Sequence, residues 1–437
     1  MADVAMPQLS EADQRKQLNR AVIASAIGST IEWYDFFLYS TVTGLVFAKL
    51  YFPQSDPAVG ILQAFSIYFV GFLARPVGAA IFGHYGDRIG RKGTLVATLL
   101  LMGIATFLVG LVPSYEVIGI WGAIILTALR FIQGIGVGGE WGGAVLLAME
   151  WAKTDKHRGF VTSWPQWGVP MGVFTANLAV YVFAEISGDA FLDWGWRIPF
   201  LLSILLVGVG LYIRLGILET PTFRKLEAEN KIERQPMIQA LKEHPREILL
   251  SAFARTGQQS AFYIFTAFIF VYGTAQLGLE RNDLLRAVMV CAAVSCITIP
   301  LFGWLSDRWG RRRTYLTGAV LLAVFSFAYF AALDTRVPLW VFLAIIFSLP
   351  FHDIMFGPQA ALIAECFKGR LRYSGSSMGY QLASVFAGGP APLIATYLLQ
   401  KTGSGFAIAA YLAVGCVISF VSVLMMTDRT NRALLED

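Results

Sequence analysis

Long apolar runs, broken by short charged or Pro/Gly-marked stretches, recur from one end of the chain to the other. A helix needs about 20 apolar residues to cross the hydrocarbon core of a bilayer, and the runs predict about twelve such spans. The first six fall near Arg20–Phe47, Val59–Phe82, Thr94–Leu111, Val117–Val145, Phe160–Phe183 and Arg197–Leu215. The second six fall near Glu247–Thr274, Leu285–Trp304, Thr314–Ala332, Pro338–Ile363, Tyr373–Leu399 and Gly405–Met426. The longest polar stretch, about Glu219 to Arg246, lies midway. The pattern predicts an all-α membrane protein of two six-helix halves: a tail (1–19), a bundle (20–216), a linker (217–246), a second bundle (247–427) and a short tail (428–437).

Composition supports lipid as the solvent. Of 437 residues, 56% are hydrophobic and 14% charged, against about 25% charged in soluble domains. The net charge of +5 matters less than its placement. Basic residues crowd one side of the predicted spans, among them Arg88, Arg91, Lys92, Lys153, Lys156, Arg158, Arg308, Arg311, Arg312 and Arg372. The other side holds only Lys49, Arg197, Arg281, Arg286, Arg336 and Lys401. By the positive-inside rule both termini are cytoplasmic. Residues 1–19 lack an apolar core and read as a tail, not a signal peptide. The four cysteines sit in apolar stretches without a CxxC pair and read as packing residues.

The halves also repeat. GHYGDRIGRK (Gly83 to Lys92, with Asp87, Arg88 and Arg91) follows span two, and GWLSDRWGRR (Gly303 to Arg312, with Asp307, Arg308 and Arg311) follows span eight. Glu150 and Arg158 follow span four, as Glu365 and Arg372 follow span ten. Repeated loops in matching places argue for duplication, with a solute path between the halves. The embedded aspartates sit at helix ends, where a carboxylate meets a neighbouring helix N-terminus or a base.

These loops resemble the signature of the major facilitator superfamily, and RFIQGIGVGG (Arg130 to Gly139) resembles its second motif. IEWYDFFLY, RPVGAAIFGHYGDRIGRK, GGEWGGA, WGWRIPFLLS, GPQAALIAE and RYSGSSMGYQ are similar to the metabolite:proton symporter family within it. The resemblance covers essentially the whole chain. It implies two halves rocking about a central site, in a bacterial-type inner membrane, taking up small carboxylates or zwitterions with protons. It also implies that the Asp-Arg loops latch the cytoplasmic side, with Glu150 beside Arg158 and Glu365 beside Arg372.

Charges inside a bilayer cost several kcal/mol unless paired or hydrated. Glu32 and Asp35 share a helix face at i, i+3, and the helical rise puts Glu32 roughly 18 Å from the start of its span. Arg130 lies roughly 20 Å into span four by the same rise. Two readings fit these three: a proton-linked switch or a static buried ion pair. Arg75 and Arg255 offer forked donors to a carboxylate, Arg75 also being placed to lock helices near its loop. Arg255 has no evident local partner. Glu140, after a glycine run, either titrates or fixes contacts between spans. His352 and Asp353 form a second candidate proton-handling pair, or a packing pair.

Tyr34, Gln133, Gln258, Gln259, Gln381, Trp164, Trp167 and Tyr263, with Gln166, Gln359, Trp141 and Tyr380, supply hydrogen bonds and flat walls for a small, hydroxylated acid. Helix packing accounts for some of them equally well. Two motif matches carry no chemistry here. Gly134, Gly136 and Gly139 satisfy GxGxxG without a preceding strand, and Gly375, Ser377 and Gly379 satisfy GxSxG within a membrane helix. Four scattered histidines give neither a metal cluster nor a nucleophile–base set. The expectation is a monomeric carrier, not an enzyme, with no cofactor, no metal and no nucleic-acid partner. Its partners would be a proton, the bilayer and a small organic acid or zwitterion.

Overall fold

The computed structural model describes residues 11–55, 57–152, 157–229, 231–430 and 432. Lys153 and Lys156, residues 1–10 and residues 433–437 lie outside the described residues. Among those described, the regular structure is entirely helical.

Among the described residues, ten helices are long and apolar enough to cross a membrane, and they coincide with spans two to six and eight to twelve. Spans one and seven are the exceptions. Span one is a continuous helix, Glu11–Val42, whose apolar run is interrupted by Glu32, Asp35 and several hydroxyl residues. Span seven is built in pieces: Pro245–Ala254, a break at Arg255, Thr256–Tyr263, and wide turns at Ile264–Phe268 and Tyr272–Gln276. A wide turn also interrupts span one at Thr43–Phe47 and span eleven at Ser384–Gly388. Such turns tend to mark functional segments.

Within the N-terminal half, span one packs on spans five and six, and span four on spans two and three. The C-terminal half repeats this with span seven on spans eleven and twelve, and span ten on spans eight and nine. The halves meet where span two lies along span eleven and span five along span eight.

Small residues permit that approach. A side chain at Gly303 would meet Ser163 and the Gly159 carbonyl, 2.6 and 2.8 Å from its first carbon; one at Gly83 would meet Ser374 at 3.0 Å. The repeated loops themselves turn on Gly90 (φ 114°) and Gly310 (φ 97°), a conformation that only glycine adopts cheaply. Each glycine leads into a helix whose first N–H groups need acceptors. Glu219, from the linker, accepts from Arg91 N (3.1 Å) and Lys92 N (3.2 Å) at the start of span three. Thr430, beyond span twelve, accepts from Arg311 N (3.0 Å) at the start of span nine.

The linker carries two short helices, Pro221–Ala228 and Pro236–Glu243, each opened by proline. Its Glu233 and Glu243 clasp Arg370, before span eleven, at 2.8 and 2.6 Å. The linker thereby ties itself to the far half.

Candidate functional site

Four charged residues of the N-terminal half are buried around the middle of span one: Glu32, Asp35, Arg75 and Arg130. Arg130 lies against the rings of Phe36, Tyr39 and Tyr68, 4.5–4.8 Å from their centres, and donates to Gln133 (3.3 Å), which donates to Thr106 (2.7 Å). Asp35 faces Thr106 and Arg130. Neither of its oxygens completes a hydrogen bond to a described residue, nor do two of the guanidinium nitrogens of Arg130. Arg75 rests on Phe36 (4.4 Å), Phe72 (4.5 Å) and Trp33 (5.6 Å), again with two nitrogens unbonded. The expected trio therefore sorts itself: Asp35 goes with Arg130, while the charged neighbours of Glu32 are Glu140, Arg75, Arg214 and Asp35.

Glu140 has a different setting. It pairs with Arg214 of span six and accepts from Thr98 (2.8 Å), while Arg214 also donates to the Leu95 carbonyl. Arg214 reads in sequence as a base at the end of a span, yet it is folded inward and buried. Gly28 of span one leaves the room it occupies. This pair ties spans three, four and six together.

In the C-terminal half, the sequence offers Arg255 no local partner; the structure supplies two. Its Nε donates to Gln359 (3.2 Å), a second nitrogen donates to the Tyr380 carbonyl, and the guanidinium lies over the Tyr380 ring. Gln359 donates to Gln258 Oε1 (3.2 Å) and Tyr315 (3.0 Å), and Gln258 meets His352 Nε2 at 2.6 Å. His352 Nδ1 is 2.9 Å from Asp353, whose other oxygen accepts from Ser295 (2.7 Å) and Thr298. Gln259 donates to Ser384 (3.2 Å), leaving its carbonyl and the Tyr263 hydroxyl unbonded.

Aromatic side chains join the halves beside these charges. Trp33 and Phe37 meet Phe262 at 6.0 and 5.6 Å between ring centres, and Phe36 and Phe72 meet Tyr263 at 6.0 and 5.1 Å. Toward the loop end, Trp141 stacks on Tyr380 at 3.6 Å and donates to Gln166 (2.8 Å). Gln381 donates to the Val137 carbonyl (3.1 Å) and Tyr373 to the Gly139 carbonyl (2.6 Å). Tyr34 and the tryptophans of span five stand apart: Tyr34 donates to the Pro199 carbonyl (2.9 Å), and Trp164 packs with Phe160 and Trp167 on a half-buried face.

At the loop end two four-residue charge clusters bolt the halves together. Asp87 accepts from Ser374 N (2.9 Å) and Tyr373 N (3.4 Å) at the start of span eleven, and pairs with Arg91 at 3.1 Å. Asp307 accepts from Gly159 N and Phe160 N, both 2.8 Å, at the start of span five, and pairs with Arg311 at 3.2 Å. The outer partners are exchanged relative to the sequence expectation. Glu150 faces Arg91 (3.7 Å) and Arg372 (3.6 Å), whereas Glu365 faces Arg311 (3.0 Å) and Arg158 (3.9 Å). The reason is that each aspartate draws in the first turn of a helix from the opposite half, and that turn carries the arginine. Arg88 and Arg308 are exposed, outside both clusters.

Burial pushes Glu365 up to about 7 against the pull of Arg311 and Arg158. Arg370, donating directly to it, holds Glu243 below the usual carboxylate range. Among the described residues no group of three or more His, Cys, Asp or Glu side chains is placed to hold a metal.

The sequence profile of the Major Facilitator Superfamily matches residues 25–391 and 287–435. The chain is 43% identical over 415 residues to the shikimate transporter of Escherichia coli K12, covering 94% of each chain. It is 39% identical to the inner membrane metabolite transport protein YhjE of the same organism, over 95% of this chain and 96% of that protein. With the E. coli K12 proline/betaine transporter it shares 31% identity, over 96% of this chain and 85% of the relative. Its fold matches the proton:xylose symporter XylE with a TM-score of 0.78 at 17% identity, over 96% and 98% of the two chains. A duplicated helical bundle with paired Asp-Arg bolts, matched along its length by membrane carriers, belongs to the major facilitator superfamily, as a transporter and not an enzyme.

Proposed function

We propose that this chain is a proton-coupled symporter that imports a small organic acid, a shikimate-like hydroxy acid or a di- or tricarboxylate, by alternating access. The carrying observation is Asp35: a buried carboxylate facing Arg130, with neither oxygen hydrogen-bonded by a described residue. A carboxylate so placed gains or loses a proton with a change of partner, which links protonation to the arrangement of the helices around it.

Charge balance favours an anionic cargo. With Glu140 and Arg214 neutralising one another, Arg75, Arg130 and Arg255 stand against Glu32, Asp35 and Asp353. One added proton then leaves one positive charge for a substrate carboxylate. Arg75 and Arg255, from opposite halves, are the anchors, with Gln259 and Tyr263 as hydrogen-bonding neighbours. The 43% identical shikimate transporter supports a cyclic hydroxy acid as the first candidate. In this reading the loop end and both termini face the cytoplasm, the bolts close that side, and the proton is the only co-substrate.

A second reading is uptake of a zwitterion such as betaine or proline, with or without protons. The rings of Trp33, Phe36 and Phe262, with the 31% identical proline/betaine transporter, favour it. Proteoliposomes separate the two. An inward proton gradient should drive accumulation of unmodified labelled shikimate, with substrate-dependent alkalinisation of an unbuffered exterior. Betaine accumulation without shikimate uptake would overturn the first reading.

A further inference from the structure

The polar groups of the C-terminal half form a chain in which every donor points the same way. Arg255 Nε donates to Gln359 Oε1 (3.2 Å), and Gln359 Nε2 donates to Gln258 Oε1 (3.2 Å). Gln258 Nε2 meets His352 Nε2 (2.6 Å), and His352 Nδ1 meets Asp353 Oδ1 (2.9 Å). A carboxylate only accepts, so the proton of the neutral ring sits on Nδ1 and Nε2 accepts from Gln258. Ser295 and Thr298 complete the end of the chain by donating to the second Asp353 oxygen. A guanidinium at one end and a carboxylate at the other thus polarise two amides and an imidazole in a single direction.

This direction is incompatible with a second proton on the ring. A proton arriving at His352 Nε2 turns that atom into a donor, and it then confronts the Gln258 amide nitrogen. Gln258 must rotate to present its oxygen, which turns its nitrogen toward the nitrogen of Gln359. Gln359 is held in its orientation by a second donation to Tyr315 (3.0 Å), whose own hydroxyl donates to the Ala254 carbonyl (2.7 Å). The conflict is relieved by Gln359 moving away, and Arg255 Nε loses its acceptor. Arg255 sits at the break in span seven, between Ala254 and Thr256.

Resting on the symport reading, we propose that His352 is a second proton site, and that Gln258 and Gln359 relay its protonation to Arg255, freeing its Nε, with the Tyr380 contact kept, to take the substrate carboxylate. The titratable groups around the relay are few. Span eight presents Cys291 and Cys296 toward Asp353, span nine presents Tyr315, span seven Arg255 and Tyr263, and span eleven Tyr380. Residues 159–180 of span five, which also packs on span ten, include no titratable side chain. In span four Glu140 is already engaged by Arg214. By reciprocity, a bound carboxylate that occupies Arg255 favours the proton on His352, so the two ligands travel together.

The test uses purified full-length transporter in nanodiscs with labelled shikimate as probe. The wild type should bind it about tenfold more tightly at pH 6 than at pH 8, a coupling of ordinary size. His352→Gln should bind with the weaker affinity throughout and no pH dependence. Gln258→Leu keeps the imidazole but cuts the relay, so it should flatten the same profile and carries the test if His352→Gln does not fold. Tryptophan fluorescence without substrate gives an independent reading, because Trp141 stacks on Tyr380, which holds Arg255. The wild type should show a pH step that both variants lose. That step in a protein which binds no shikimate would overturn the substrate reading and uphold the relay. A wild-type pH profile that persists in both variants would overturn the relay.

Discussion

The two halves share a fold but, the Glu140–Arg214 pair apart, treat their buried charges in opposite ways. In the N-terminal half, Arg75 and Arg130 lean on aromatic rings, and they and Asp35 keep polar atoms without a described partner. In the C-terminal half, Arg255 and Asp353 are the ends of a continuous hydrogen-bonded chain. An unbonded buried ionic atom costs far more than a bonded one returns, so the first arrangement is the unstable one, ready to exchange partners. The second is closed on itself, each group in the chain bonded to the next. Duplication therefore supplied two copies of a frame, and each copy has specialised.

Asp35→Asn should break the comparison most severely: gradient-driven accumulation in proteoliposomes falls to simple equilibration while exchange of labelled for unlabelled substrate survives. Unchanged accumulation would remove Asp35 from coupling. Next comes Glu140→Gln, which strands Arg214 and should cost about 3–5 kcal/mol of stability in thermal unfolding. Glu140→Leu combined with Arg214→Leu should recover most of that loss. A single variant as stable as the wild type would show the pair to be idle. Arg255→Ala should weaken shikimate binding by about 1.5–3 kcal/mol, the worth of charge-assisted hydrogen bonds, and leave a neutral ester analogue little affected. Equal losses for acid and ester would deny it the role of anchor.

Asp87→Asn and Asp307→Asn should each open the loop end by about 1–2 kcal/mol, read as a shift in spin-label distances between the halves. Unequal shifts would mean that the bolts, unlike the spans, are not equivalent. The smallest effect belongs to the surface clasp, where Arg370→Ala should cost less than about 1 kcal/mol. Arg370 depresses the Glu243 carboxyl, so the clasp contributes fully above the ordinary carboxylate range and is lost as pH falls through the lowered value. A clasp that weakened on going from pH 7 to 9 would contradict that sign.

Much of this architecture is legible in the chain. The spans follow from apolar run length, and the Asp-Arg loops announce both the duplication and the bolts. The exchange of Glu150 and Glu365 between Arg372 and Arg158 is not legible, because proximity in sequence favours the near partner and the docking of opposite halves selects the far one. Arg214 escapes for a related reason. A base at the end of an apolar run reads as an anchor in the headgroups, and only the gap beside Gly28 and the carboxylate of Glu140 draw it inward. His352 and Asp353 are visible as a pair, but their link to Arg255 runs through amides on two spans, and amides carry no mark in sequence that says which way they point.

Spans one and seven fail the length-and-apolarity test that the other ten pass, and this bears on how the protein is made. A segment carrying Glu32 and Asp35, or one broken at Arg255 beside two glutamines, partitions poorly into lipid by itself. Each opens its half during synthesis, before the helices that will shelter it exist. Their stable insertion should therefore wait for span five and span eleven, the later neighbours against which they pack. The buried charged and polar residues of these two spans would then set the slowest steps of biogenesis.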